Sequence, residues 1–247
     1  LSAAATGFSV QVAHFIGAND LVKARQVFRH ALICGVAFSL FVTLIGVGIH
    51  SHLPYWLGGG EDIAPNSSRY FLIYSLVLPF VFLYHISEMM LKSAGNMHTP
   101  SIMAVLICLC DVAFNYLFIY MMKMGVVGAA MGTAMAYICI SLPNLYLSAF
   151  RNRLLNLRQD KEPFRWVREY VRHACKISIP IAIQNILMSG AQIVSTMIVA
   201  PLGNIAIASH SFAITAESLC YMPGYGIGDA ASTLVGQTHG AGRVDLC

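Results

Sequence analysis

The sequence predicts an all-α polytopic membrane protein, and three observations carry that prediction. Hydrophobic residues make up 57% of the 247 positions and charged residues 11%, less than half of the roughly 25% charged residues usual in a soluble domain, with a mean hydropathy of +0.67. The apolar residues gather into runs of about 20, the length that crosses a hydrocarbon core at 1.5 Å per helical residue. The basic residues are also unevenly placed. Residues 151–176, RNRLLNLRQDKEPFRWVREYVRHACK, hold eight of the fifteen Lys and Arg residues, and such a strip is expected on the cytoplasmic side.

Taken in order, residues 1–16 read as the end of a helix that stops at Gly17-Ala18-Asn19-Asp20, before a loop with Lys23, Arg25 and Arg29. Residues 30–49 form the next span. A polar turn at 54–68, with Gly58-Gly59-Gly60 and the acids Glu61 and Asp62, leads into a span over 70–90 that contains Pro79. Lys92-Ser93-Ala94-Gly95-Asn96 is a short loop, and Pro100 suits the first turn of a span over 100–121. A tight turn at Lys123 and Gly125 separates this from a span over 127–149. After the basic strip come a span over 177–199 and a long helix from about 205 to 236. The last is expected to be interrupted at Pro223, Gly224, Gly226 and Gly228, where a donor is lost and close approach is allowed.

Charge supports this threading. Placing alternate loops on the side of the strip puts thirteen of the fifteen basic residues there and leaves Arg69 and Lys123 opposite. One span missed or invented would invert every later loop, so the asymmetry argues for the threading as it stands. Three parts follow: a first bundle over 1–150, a basic linker over 151–176, and the start of a second bundle over 177–247. Within the linker, Phe164, Val167 and Val171 share a helical face, which suits a helix lying in the headgroup layer. The positive-inside rule accounts for its arginines without nucleic acid. A start at Leu1 inside an apolar run and an end at Cys247 just past a loop motif read as a piece of a longer chain.

Candidate chemistry rests on the ionisable groups that a bilayer makes costly. Glu217, Asp111 and Asp229 fall in apolar stretches, and an acid at the bilayer centre costs about 2.5–3.5 kcal/mol on insertion scales. Glu217 lies deepest in its helix and is the leading candidate to bind a coupling ion or a cationic substrate. Asp111 and Asn115 are one turn apart on one face, where an interhelical clamp and an ion or substrate site are both open readings. Gln184 and Asn185 add neutral polar groups to the helix after Pro180. Gly125, Gly128, Gly132 and Ala136 recur three or four apart and read as a packing face. Seven scattered Cys with no CxxC behave as small hydrophobes, and Met pairs such as Met89-Met90 and Met121-Met122 as packing residues. His85 and Glu88 lack the second histidine of a zinc protease pattern, His14, His30 and His210 read as hydrated residues near helix ends, and no phosphate-binding glycine loop is present. No catalytic residue or cofactor is expected, only a proton or sodium as coupling ion, and metal ligands stay unassigned.

Several of these stretches together resemble a known family. Gly17-Ala18-Asn19-Asp20 with Ala24, Lys92-Ser93-Ala94-Gly95-Asn96 with Pro100, Asp111 to Ile119, Gly125 to Ala130, and Tyr221-Met222-Pro223-Gly224 through Gly240-Ala241-Gly242-Arg243 look like multidrug and toxic compound extrusion (MATE) transporters. The resemblance covers essentially the whole chain. It implies a stretch from the end of helix 2 through helix 8 of a two-lobe, twelve-helix, inverted-V antiporter, with residues 151–176 between the lobes. Some relatives carry a carboxylate in the middle of the seventh helix; the equivalent position here is Met188. Internal repetition agrees: shifted by 223 positions, Ser9, Val12, Gly17 and Ala18 match Ser232, Val235, Gly240 and Ala241, and duplicated bundles commonly rock about a central site.

The implied function is a secondary antiporter in the cell membrane, monomeric when whole, that exports amphipathic or cationic organic compounds and works on small molecules within a lipid bilayer. A lipid-precursor flippase of related architecture is the alternative. A membrane scaffold subunit or enzyme using the same helices is a further one.

Overall fold

The computed structural model describes residues 2–52, 64–158, 165–199, 201, 203–243 and 245. Among the described residues seven α-helices follow one another: α1 (Ser2–Gly17), α2 (Leu21–Ile49), α3 (Ala64–Ser93), α4 (His98–Asn115), α5 (Gly125–Tyr146), α6 (Arg168–Val199) and α7 (Asn204–Gly240). Helices α4 and α5 run on as π-helical turns, Tyr116–Met121 and Leu147–Arg151. Among the described residues no strand occurs. Five helices, α2 to α6, are long and apolar enough to cross a membrane. Most of the polar turn expected at 54–68 lies outside the described residues.

Local chemistry sets the ends of these helices. Asp20 caps α2 by accepting a hydrogen bond from the Lys23 amide at 3.1 Å. Its carboxylate also meets the Lys23 ammonium at 2.8 Å, and that contact lowers the Asp20 pKa. Helices α1, α3 and α7 all end in the same way, with one residue in the left-handed region: Asn19 (φ 58°), Gly95 (φ 77°) and Gly242 (φ 72°). The next amide in each case reaches back five residues, Asp20 to Phe15, Asn96 to Leu91 and Arg243 to Thr238. This is the Schellman closure, which satisfies carbonyls that a helix end leaves free.

Packing follows the small residues. Helix α5 lies between α3 and α4. On one side, Ala134 joins Val77 and Val81 of α3; on the other, a Cβ at Gly128 or Gly132 would overlap the Phe118 carbonyl or the Asn115 side chain. The Phe82 ring of α3 fills the space a side chain at Gly35 of α2 would need. The main core collects Phe8, Val12, Val27, Phe28, Phe82, Ile86 and Met90, together with Leu155 and Ala174 from beyond α5. It therefore sits at the end of the bundle that carries the basic residues.

The linker differs from the expected surface helix. Leu155 is fully buried, and the backbone around it is held by α2: Arg25 donates to the Leu154 carbonyl at 3.1 Å and Arg29 to Leu157 at 3.3 Å. Helix α6 starts at Arg168, nine residues before the expected span at 177. Val167 precedes it, Val171 is inside it and Phe164 lies outside the described residues, so Val167 and Val171 do not share a separate helix. The physical reason is packing. Ala174 is buried against α1, where a Cβ at Gly7 would overlap the Ala174 carbonyl. His30 also departs from its expected hydration, being fully buried. Its Nε2 accepts from the Val167 amide at 3.0 Å, so the proton sits on Nδ1, which donates to the Gln26 carbonyl at 2.7 Å.

The interruption expected in the last helix is likewise not a break. Helix α7 is continuous over 37 residues, with Pro223 inside it, a length of about 55 Å. No atom lies within 4 Å of where a side chain would project from Gly224, Gly226 or Gly228.

The repeat appears as a contact. Helices α1 and α7 cross so closely that a Cβ at Gly17 would overlap the Gln237 backbone, and one at Gly240 the His14 backbone. These are repeat mates in both directions, since 17 pairs with 240 and 14 with 237. Ala13 faces its own mate Gly236, and the caps Asn19 and Gly242 are mates as well. A contact in which each residue meets the mate of its partner is the mark of a two-fold arrangement, here within one chain.

Candidate functional site

The expected site residues fall into three places. In the first, on α4, Asp111 and Asn115 lie one turn apart with α5 opposite, and Gly132 makes room for the Asn115 carboxamide. Asp111 Oδ1 and Asn115 Oδ1 are both buried and without a hydrogen-bond partner. Buried polar atoms are nearly always paired, because an orphan loses the hydration that would offset its burial. Two such oxygens on adjacent turns make a cradle that a proton or a small cation would complete. The Tyr137 phenol of α5 lies within electrostatic reach of both Asp111 and Glu88.

The second place is a cavity of about 660 Å³ between α6 and α7. Asn185, Met188 and Gln192 line it from α6, and Glu217, Tyr221 and Tyr225 from α7. Helical spacing explains the set: 185, 188 and 192 share one face of α6, and 217, 221 and 225 one face of α7. Glu217 is the sole acid among the lining residues, and no base is present there. Gln184 is exposed on α6 but does not line this cavity. Where the family resemblance would place a carboxylate stands Met188, directly within the cavity. The negative charge has its place one helix further on, at Glu217.

Asp229 is in the third place, apart from both. Its Oδ2 lies 2.8 Å from Lys92 Nζ at the end of α3. The same ammonium meets Glu88 Oε1 at 2.8 Å, and Glu88 Oε2 lies 3.6 Å from His85 Nδ1. The Lys92 ammonium thus pairs with Glu88 and Asp229 at once. Among the described residues no group of three or more His, Cys, Asp or Glu is arranged to hold a metal ion. The Glu88–Lys92 half of this cluster was legible as an i, i+4 pair. Its link to Asp229, 137 positions away, had no local signal.

Closely packed apolar helices, five of them among the described residues long and apolar enough to cross a membrane, and a repeat folded about its own two-fold contact define a polytopic helical membrane protein. The comparisons with known proteins make this specific. The MatE family model matches residues 1–117 and 180–246, and the chain belongs to the MatE family, a family of membrane transporters. A "Probable multidrug resistance protein NorM" of Thermotoga maritima is 28% identical over 251 residues, covering 98% of this chain and 53% of the relative. A "Multidrug export protein MepA" of Staphylococcus saprophyticus is 25% identical over 204 residues, covering 83% and 45%. Among solved structures, a MOP superfamily transporter from Pyrococcus furiosus superposes with a TM-score of 0.88 at 22% identity, over 99% of this chain and 54% of the other. A MATE crystal structure in complex with MaL6 gives 0.90 at 21% identity over 99% and 54%. The chain spans about half the length of the relatives it matches.

Proposed function

We propose that this chain forms part of a secondary antiporter that exports amphipathic or cationic organic compounds in exchange for protons or sodium ions. The observation that carries the proposal is Glu217: one carboxylate, with no ion-pair partner among the described residues, facing a cavity shared with two tyrosines and neutral amides. An organic cation suits that set, with the charge on Glu217, the apolar body on Met188 and the aromatic rings, and amide hydrogen bonds from Asn185 and Gln192. Asp111 and Asn115 offer a second, smaller cradle for the coupling ion. No cofactor is needed for such exchange, and the setting is a cell membrane with residues 151–176 facing the cytoplasm. Nucleic acid has no part in it, and the whole protein acts as a monomer.

Exchange follows if proton and substrate compete for one carboxylate. The test is a titration of a permanently charged aromatic cation onto the detergent-solubilised chain at several pH values. Affinity should fall as the pH falls, and Glu217→Gln should bind weakly with no pH dependence. A Glu217→Gln protein that keeps the original profile would overturn the assignment. Gradient-driven flux needs a partner bundle to rock against, so the 247-residue chain alone in vesicles should bind the cation without transporting it.

A further inference from the structure

The α1–α7 crossing is built mainly on small residues, with one ring contact beside it, His14 of α1 to His239 of α7 at 5.5 Å between centroids. Gly17, Gly240, Ala13 and Gly236 bring two backbones together with little side-chain volume at the point of closest approach, which suits a surface that slides or parts easily. What ties the two sides together at that end is a short polar chain on α3. The Ser93 hydroxyl donates to the Ser9 carbonyl of α1 at 2.9 Å, and the Gln237 amide of α7 donates to the Ser93 carbonyl at 2.8 Å. The adjacent residue, Lys92, joins Asp229 of α7. The repeat does not dictate this charge, because the mate of Asp229 is Thr6, whose hydroxyl bonds within its own helix to the Ser2 carbonyl.

We infer that Lys92 is a positioning residue, a latch that holds α7 against α3 through Asp229 and falls back on Glu88 when the linker end parts. The inference rests on the antiport reading, in which the two bundles must separate at this end. The geometry makes the exchange inexpensive. Glu88 sits on the same helix as Lys92, one turn before it, and stays 2.8 Å away whatever α7 does. The Lys92 and Glu88 side chains are 20% and 17% exposed, while Asp229 is 43% exposed. Opening therefore returns the well-hydrated partner to water and leaves the half-buried ammonium paired. A buried charge left without a partner would make opening prohibitive, and a pair with one exposed member is weak enough to break. Lys92 between two acids satisfies both requirements.

The consequence is a pair of opposite effects. Removing Asp229 weakens the closed state. Removing Glu88 strands Lys92 in the open state and so holds the crossing more firmly shut, an outcome that plain scaffolding would not produce.

A thiol at the crossing reads the opening directly. Ala13 is 2% exposed and faces Gly236, so Ala13→Cys, with the native cysteines replaced by serine, reacts with a maleimide only when the helices part. Asp229→Asn should label about three- to fivefold faster, the range a partly exposed pair supports, and Glu88→Gln should label more slowly than the parent. Lys92→Asp and Asp229→Lys should each label faster, and the double exchange should return toward the parent rate, which separates a latch from misfolding. Equal rates for Asp229→Asn and the parent, faster labelling of Glu88→Gln, or a double exchange no slower than its single variants would each overturn the inference. The labelling needs neither substrate nor ion gradient. Expected rates in a chain that binds no organic cation would remove the antiport reading alone, and unchanged rates in a chain that binds it would remove the latch alone.

Discussion

The bundle of α2 to α5 and the part of the pair α6 and α7 before the α1 crossing are built from similarly apolar helices, yet several of their small and polar residues meet opposite surroundings. In the bundle, Gly35, Gly128 and Gly132 each lie against an atom of a neighbouring helix or its extension, and four buried oxygens, Ser87 Oγ, Asp111 Oδ1, Asn115 Oδ1 and Asn144 Oδ1, have no hydrogen-bond partner among the described residues. In the pair, Gly190, Gly224, Gly226 and Gly228 face open space, and Asn185 and Glu217 are exposed. A glycine in a membrane helix is a packing device only where a second backbone lies opposite. An acid there is strained only where it is closed off.

The largest contrast should come from one substitution made in both regions. Gly132→Ala puts a methyl group into the Asn115 side chain and should cost about 1–3 kcal/mol through overpacking. Gly190→Ala meets nothing within 4 Å and should stabilise by up to about 1 kcal/mol through helix propensity. Thermal unfolding in detergent checks both signs, and a loss at Gly190 equal to that at Gly132 would break the distinction.

The acids sharpen it next. Asp111→Leu removes an unpaired buried oxygen and should raise stability by about 1–2 kcal/mol, whereas Glu217→Leu removes an exposed group and should change stability by less than about 0.5 kcal/mol while abolishing cation binding. A stability gain at Glu217 and none at Asp111 would reverse the roles.

The smallest effect lies at the linker end. Asp20→Ala should cost about 1 kcal/mol, the value of a helix N-cap. Because the Lys23 contact holds the Asp20 pKa below its usual value, the charge contributes fully above about pH 4 and is lost as the pH falls through the lowered folded value. Asp20→Asn keeps the cap and should flatten that acid limb; an unchanged acid profile in the Asn variant would place its origin elsewhere.

Much of the site was legible in residue type and only part of it in place. Asp111 and Asn115 share a face because four positions make about one turn, and the structure keeps them together. Asp229 was grouped with them on hydropathy alone, which reports that an acid is costly but not which cation lies beside it. His30 was read as hydrated because it stands near a loop; the linker that buries it returns from 137 positions later. Leu155 and Ala174, two linker residues without a local signal of burial, are drawn into the core by contacts from α1 and α2.

The sequence by itself determined the class, the order of the helices and their caps, because hydropathy, the charge of loops and the left-handed preference of Gly and Asn act over a few residues. It also carried the 223-position repeat. Only the tertiary structure decided that the repeat mates Gly17 and Gly240 cross reciprocally, that Lys92 divides itself between Glu88 and Asp229, and that Met188 and Glu217 share one cavity. Those contacts join positions separated by up to 226 residues in the chain. Their existence depends on which helix faces come together, and that is settled by the complementary shapes of whole surfaces rather than by any local pattern.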